Sequence, residues 1–272
     1  MLRIAFCADI VGRPGRYMLK QHIEKIKREH KVDVVIVNYE NASHGFGLSA
    51  KNAKELFKLP IDLMTGGNHT WDKKDIIPLL DELPLLRPLN YPKATPGRGL
   101  EVMQVGEEKL AVINLMGNFT MPMVDNPFVK VIEVVERLEE AGVKHIFIDF
   151  HAEATSEKRA LLAMLKGRVS AICGSHTHVG TDDLTIDKGT CYVTDVGMTG
   201  CRDNSLGMDV KEVIDRFLTG VSGRFDVPNN CKKMLQAVIF ELDSEGKCIE
   251  AFKVKAYDDA AASVVQQAYH EQ

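Results

Sequence analysis

Residues 169–178 read VSAICGSHTH: a short apolar run, a glycine, then two histidines one residue apart. On its own the segment is a strand running into a polar turn. The rest of the chain decides whether His176 and His178 are ordinary turn residues or a pair aimed at something. Apolar runs of strand length recur as LRIAFCAD (2–9), VDVVIVNYE (32–40), IDLMTGG (61–67), KLAVINLMG (109–117) and KHIFIDFH (144–151). Between several of them lie segments with helical spacing, among them RYMLKQHIEKIKREH (16–30) and VIEVVERLEEAG (131–142). This alternation predicts an α/β protein whose strands are covered on both faces by helices. Pro14 suits a first helical turn and Gly142 a helix end.

From about Leu184 the pattern becomes hairpin-like. LTIDKGTCYVTD (184–195) and MLQAVIFELDSEGKCIEAFKVKAY (234–257) carry Lys-Gly and Ser-Glu-Gly turns between alternating apolar residues, which predicts antiparallel strands. Mixed β-sheets packed with flanking helices are therefore expected. No repeat, low-complexity tract or linker interrupts the chain, and PLNYPKATPGRG (88–99) reads as a surface loop, so residues 1–272 are expected to form one domain.

Composition narrows the classes of function. The net charge is -4 and the isoelectric point about 6.2, so nothing global favours a nucleic-acid backbone or an acidic membrane surface. No apolar run approaches the roughly 20 residues needed to span a bilayer, and the N-terminal apolar stretch is too short for a signal peptide. The six cysteines show no Cys-x-x-Cys spacing and mostly sit in apolar runs, which predicts reduced, partly buried thiols. A cytoplasmic protein without membrane contact is expected.

The ends of the predicted strands share a chemistry. Asp9 follows the first, Glu40 and Asn41 the second, Asn68 and His69 the third, His151 closes KHIFIDFH, and His176 and His178 follow the glycine bend. Ligand sites in α/β sheets gather beyond the carboxyl ends of the strands, so these scattered positions can converge. Two carboxylates, two amide oxygens and three imidazoles suit a pair of first-row transition ions such as iron, manganese or zinc. Each residue also has a plainer reading, Asp9 as a helix N-cap or Asn41 and Asn68 as turn residues, but these would all have to coincide at strand ends.

GGNHTWD (66–72) resembles the Gly-Asn-His segment of calcineurin-like metallophosphoesterases, and GSHTH (174–178) resembles their Gly-His-x-His segment. More closely, ADIVGRPGR, NYENAS, GGNHTWD, DFHAEATSEK, GSHTHV and YVTDVGMTG together are similar to the YmdB-like branch of that superfamily over essentially the whole chain. Two departures from the superfamily pattern stand out. The usual Asp-x-His near the start is Asp9-Ile10-Val11, and Glu40-Asn41 stands where an aspartate is usual.

The resemblance implies a calcineurin-like metallophosphoesterase fold and two divalent or mixed-valence ions, iron or manganese first and zinc as an alternative. It implies that Asp9, Asn41 and His178 hold one ion, that Asn68, His151 and His176 hold the other, and that Glu40 bridges them. Asn41 then replaces the missing histidine with a weaker ligand. His69 corresponds to a histidine that contacts substrate, and is read as the general acid, with Asp72 either orienting it or capping a helix. Two such ions would activate water and neutralise phosphate oxygens for in-line attack on phosphorus. The expected reaction is hydrolysis of small phosphodiesters, 2′,3′-cyclic nucleotides to 3′-nucleotides in particular.

Other readings stay open. A metal-binding regulatory protein would keep the ions without turnover. An RNA-interacting protein would use Arg13 and Arg16 of GRPGR, although no aromatic platform adjoins them and a solvated helix start explains them as well. An RNA-derived substrate and a homo-oligomer are also open. His44, Phe46, Thr120 and Met121 are loop residues open to substrate contact, although exposed loop packing is the expectation.

Overall fold

The computed structural model describes residues 1–221 and 223–271. In chain order the strands are β1 (Leu2–Cys7), β2 (Val34–Asn38), β3 (Leu63–Thr65), β4 (Leu100–Val105), β5 (Glu108–Met116), β6 (His145–His151), β7 (Ala171–Ser175), β8 (Thr185–Asp187), β9 (Thr190–Val193), β10 (Gly200–Cys201), β11 (Lys233–Leu242), β12 (Cys248–Tyr257), β13 (Ser263–Gln267) and β14 (Tyr269–His270). The α-helices are α1 (Gly12–Glu29), α2 (Ala50–Leu56), α3 (Pro127–Glu140), α4 (Thr155–Leu165) and α5 (Val210–Thr219), with a 3-10 helix over Lys74–Leu80.

Two mixed sheets result. The first runs β13-β12-β11-β1-β2-β3, with β10 also on β11, and the second runs β14-β8-β9-β7-β6-β5-β4. Strands β1, β2 and β3 are parallel, as are β5, β6 and β7, because helices or long crossovers join them. The predicted hairpins close at Lys188-Gly189, both with positive φ, and at the turn before Cys248.

The apolar pattern explains the layering. Alternate residues of β1 face opposite ways: Ile4 and Phe6 meet the second sheet, while Ala5 and Cys7 meet α1. Between the sheets, Phe147 stacks at 5.0 Å on Phe6 and 5.4 Å on Phe240, joining β6 to β1 and β11. Helix α1 covers the outer face of the first sheet with Met18, Leu19, Ile23 and Ile26. Helices α3 and α4 cover the second with Val131, Val135, Leu161 and Leu165. Each such side chain taken from water stabilises the fold by about 1.5–3 kcal/mol. Pro14 lies in the first turn of α1, and Gly142, at φ 71°, follows the last turn of α3.

The sheets are mixed, as expected: the hairpins β8–β9 and β11–β12 are antiparallel, while β9 pairs in parallel with β7 and β14 with β8. Two features depart from expectation. The C-terminal half holds α5, which the hairpin pattern does not include although Val210, Val213, Ile214, Phe217 and Leu218 fall at helical spacing; none of its side chains is buried, so this apolar stripe is left largely exposed. The six thiols are not all reduced: Cys201 and Cys231, 30 residues apart, are joined, and Cys7, Cys173, Cys191 and Cys248 are free and buried. The pairing brings together two chain ends that flank an excursion from the first sheet, a proximity that spacing alone does not reveal. Thiol titration of the denatured, non-reduced protein should return four free thiols per chain; six would remove the bond from the fold.

Candidate metal centre

The parallel strands of both sheets end on the same side, and the predicted residues meet there. Asp9, Glu40, Asn41, Asn68 and His69 come from loops after β1, β2 and β3, and His151, His176 and His178 from the ends of β6 and β7. Backbone hydrogen bonds knit the loops: Ile10 N–H to Asn38 O at 3.0 Å, Gly12 N–H to Asn41 O at 2.9 Å, and Thr199 N–H to Asp9 O at 3.0 Å. Asp9 is not a helix cap. Its Oδ2 accepts from His176 N–H at 2.9 Å and lies 3.4 Å from His178 Nε2.

Hydrogen bonds on the far side of each ligand-type group decide which atom faces inward. The amide of Asn41 donates to Gly45 O at 2.8 Å, which leaves its Oδ1 3.1 Å from His178 Nε2. His178 Nδ1 donates to Leu206 O at 2.8 Å, so the lone pair of the neutral ring is on Nε2. His151 follows the same logic. Ser175 Oγ donates to Asp149 Oδ1 at 2.7 Å and accepts from His151 Nδ1 at 3.0 Å, turning His151 Nε2 toward Asn68 Oδ1 at 2.9 Å and Glu40 Oε1 at 3.5 Å. Asn38 and Thr65 donate to the other oxygen of Asp149 at 2.8 and 2.5 Å. The His151 ring lies against Gly67, where any Cβ would run into the imidazole. Orientation of a metal-binding histidine by a buried carboxylate relay is a common arrangement.

His176 makes the remaining link, with Nδ1 3.1 Å from His151 Nε2 and Nε2 3.1 Å from Glu153 Oε2. His176 and His178 hold φ angles of 100° and 63°, which cost backbone energy in a non-glycine residue and need bracing. Asp195 supplies it. One of its oxygens accepts from Thr177 N–H at 3.1 Å and from Lys158 Nζ at 2.9 Å, and the other from Gly197 N–H at 2.8 Å. Lys158 also donates to Ser175 O at 2.9 Å, and both charged groups are almost fully buried.

The electrostatics are those of a charge deficit. Burial disfavours ionised Asp9, yet the hydrogen bond and charge of His178, together with His151, hold it below the ordinary carboxylate range. Burial likewise opposes charge on His151, but Glu40, Asp9 and Asp149 override it and raise its pKa to about 9. Burial and the neighbouring His151 lower His176 to about 3. Burial raises Asp149 to about 6 despite its donors.

Asp9 Oδ1 and Glu40 Oε2 are buried and have no hydrogen-bond partner among the described residues. Among the described residues, His, Cys, Asp and Glu alone form no group of three or more arranged to hold a metal ion. The two asparagine oxygens face imidazole nitrogens of the same cluster, Asn68 Oδ1 toward His151 Nε2 and Asn41 Oδ1 toward His178 Nε2. Hard oxygen and imidazole donors without thiolate fit first-row transition ions.

His69 stands at the rim. Its N–H donates to Glu40 Oε1 at 2.6 Å, its Nδ1 lies 2.9 Å from Asp72 Oδ2, and its ring meets the edge of Phe46 at 5.0 Å. Asp72 thus orients His69, and the cap position of the following 3-10 helix is Lys73. Phe46 is half-buried in the wall of a cavity of about 280 Å3, together with Glu153, Leu206, Met208 and Phe225, where exposed loop packing was expected. His44 is exposed beside Arg13 and Arg16. The Ser175–Asp149 relay, the Lys158–Asp195 brace and Leu206, Met208 and Phe225 escaped the sequence reading. The first two lie inside DFHAEATSEK, GSHTHV and YVTDVGMTG, so the motifs signalled them; the last carry no signal outside the fold.

Residues 5–254 match the family described as YmdB-like protein. A 2′,3′-cyclic-nucleotide 2′-phosphodiesterase of Bacillus subtilis is 46% identical over 248 residues, covering 90% of this chain and 93% of its own. The crystal structure of a hypothetical protein from Thermus thermophilus superposes with a TM-score of 0.89 at 37% identity, covering 94% of this chain and all of its own. That of a phosphatase from Mycoplasma pneumoniae gives 0.89 at 34% identity, covering 95% and 94%.

Truncating Lys158 to methionine would strand the buried Asp195 carboxylate. Urea denaturation should show a loss of about 3–5 kcal/mol; a loss within experimental error would mean that the pair does not brace the histidine bend. With its fold, its motifs and its relatives in agreement, the chain belongs to the YmdB-like protein family, within the calcineurin-like metallophosphoesterase fold.

Proposed function

We propose that the chain is a dinuclear-metal phosphodiesterase that hydrolyses small phosphodiesters, 2′,3′-cyclic nucleotides to 3′-nucleotides foremost. That it is an enzyme of the phosphoesterase class follows from kinship with the Bacillus subtilis phosphodiesterase over 90% of its length. The observation that carries the metal assignment is the pair of buried, unpartnered oxygens, Asp9 Oδ1 and Glu40 Oε2, beside imidazole and amide donors. Leaving such oxygens bare costs several kcal/mol each, and a cation relieves both.

Asp9, Asn41 and His178 would hold one ion, Asn68, His151 and His176 the other, with Glu40 shared. Iron or manganese suits these donors, and zinc is compatible with them. The bound pair would supply a nucleophile from water near neutral pH and neutralise the phosphoryl oxygens. His69 would protonate the departing 2′-oxygen. Its Nδ1–H is held by Asp72 at 2.9 Å, so Nε2 is the atom left to carry that proton. Residues 1–272 act as one domain in this reading. Among the described residues no helix is long and apolar enough to cross a membrane, and we place the protein in the cytoplasm.

Two measurements test these roles. Metal analysis of gently purified protein should give two transition ions per chain, and Glu40→Ala should lower the content at both positions and shrink the rise in Tm that metal produces. One ion, unaffected by the substitution, would defeat the two-ion assignment. His69→Ala should keep both ions and lose on the order of 10²–10⁴ in rate on a 2′,3′-cyclic nucleotide. It should lose far less on a nitrophenyl phosphodiester, whose leaving group needs no proton. Equal losses on both would make His69 a phosphate-positioning group, and loss of metal would make it a ligand.

A further inference from the structure

The excursion between Cys201 and Cys231 reaches the metal-ligand loops at three points. Leu206 O accepts from His178 Nδ1, the Met208 methyl sits against Gly45, and Val227 packs on Gly12 and Gly45. Gly45, at φ 85°, is the one residue type that admits both the turn and that close approach. The disulfide ties the two ends of the excursion together at the edge of the first sheet.

The cavity beside the candidate metal centre is lined by polar residues, Glu40, Asn41, His69 and the two histidines of the bend among them, and by apolar ones, Phe46 from the turn after β2 and Leu206, Met208 and Phe225 from the excursion. Arg216 lies 5.3 Å from the centroid of the Phe225 ring, a cation–π contact that steadies the ring. A phosphoester held by the polar residues would bring whatever it is attached to near the apolar ones. At about 280 Å3 the cavity is near the lower end of small-molecule sites, the scale of one nucleotide.

We infer that Phe225, with Met208 and Phe46, forms a wall on which the base of a mononucleotide stacks, so that the excursion selects for substrates that carry a flat, apolar-faced group. This deepens the cyclic-nucleotide reading and rests on it for the position of the phosphate. The apolar side chains present no hydrogen-bonding code, so the wall grips any base by its face, the larger purines more firmly. Methionine adapts to rings of different outline.

The test is a comparison of binding, with 3′-AMP and ribose 3-phosphate as probes, by calorimetry on the metal-loaded protein. The wild type should bind 3′-AMP on the order of 10-fold more tightly than ribose 3-phosphate, as expected for one stacked base. Phe225→Ala should bring the two affinities close to parity and Phe225→Tyr should restore the preference; Met208→Ala should reduce it in part. No preference in the wild type, an undiminished preference in Phe225→Ala, or an equal weakening of both ligands would overturn the wall. Turnover of 2′,3′-cyclic AMP by the wild type is measured alongside. Turnover without a base preference defeats the wall and leaves the hydrolase reading standing, whereas a Phe225-dependent preference without turnover supports the wall and defeats the hydrolase.

Discussion

Two buried carboxylates, Asp9 and Glu40, at the junction of two sheets are the constraint around which the rest of the structure is arranged. Each keeps a buried oxygen that has no hydrogen-bond partner among the described residues. Such a charge is tolerated only where positive charge is supplied nearby. In the protein alone it comes from imidazoles drawn toward protonation, His178 and His151; in the proposed reading metal ions take that place and the rings, neutral, face them with Nε2. The parallel alignment of β1, β2 and β3, and of β6 and β7, follows from the same need, since only their carboxyl ends bring donors from both sheets to one point.

Groups behind the donors hold this arrangement. Asp149 acts through Ser175 on His151, Asp195 and Lys158 act on the strained bend at His176 and His178, and Leu206 acts on His178. The third of these ties the excursion between Cys201 and Cys231 to the donor cluster. Movement of the excursion would therefore be felt at His178 as well as at the apolar wall.

The fold was readable because six apolar runs became strands and their ends carried Asp, Glu, Asn and His. A strand buried on both faces has little freedom of composition, so β1, β2 and β5 to β7 announce themselves. Edge elements do not. Strand β13 is largely exposed and lacks an apolar run, so it is not marked; α5 carries an apolar stripe, Val210, Ile214, Phe217 and Leu218, but leaves it exposed, so burial does not account for it. The donor cluster was legible for the same reason as the strands, since a polar residue straight after an apolar run must sit at a sheet end. The Cys201–Cys231 bond, the Leu206 contact and Phe225 were not, because each depends on where a long excursion folds back. Asp195 is an intermediate case: it lies within a recognised motif, but its pairing with Lys158 joins residues 37 apart.

Anomalous scattering from metal-loaded crystals would locate the ions of the proposed two-ion site. Two peaks flanking the Glu40 carboxylate are expected, one among Asp9, Asn41 and His178 and the other among Asn68, His151 and His176. A single peak, or peaks away from these side chains in fully loaded crystals, would contradict the account.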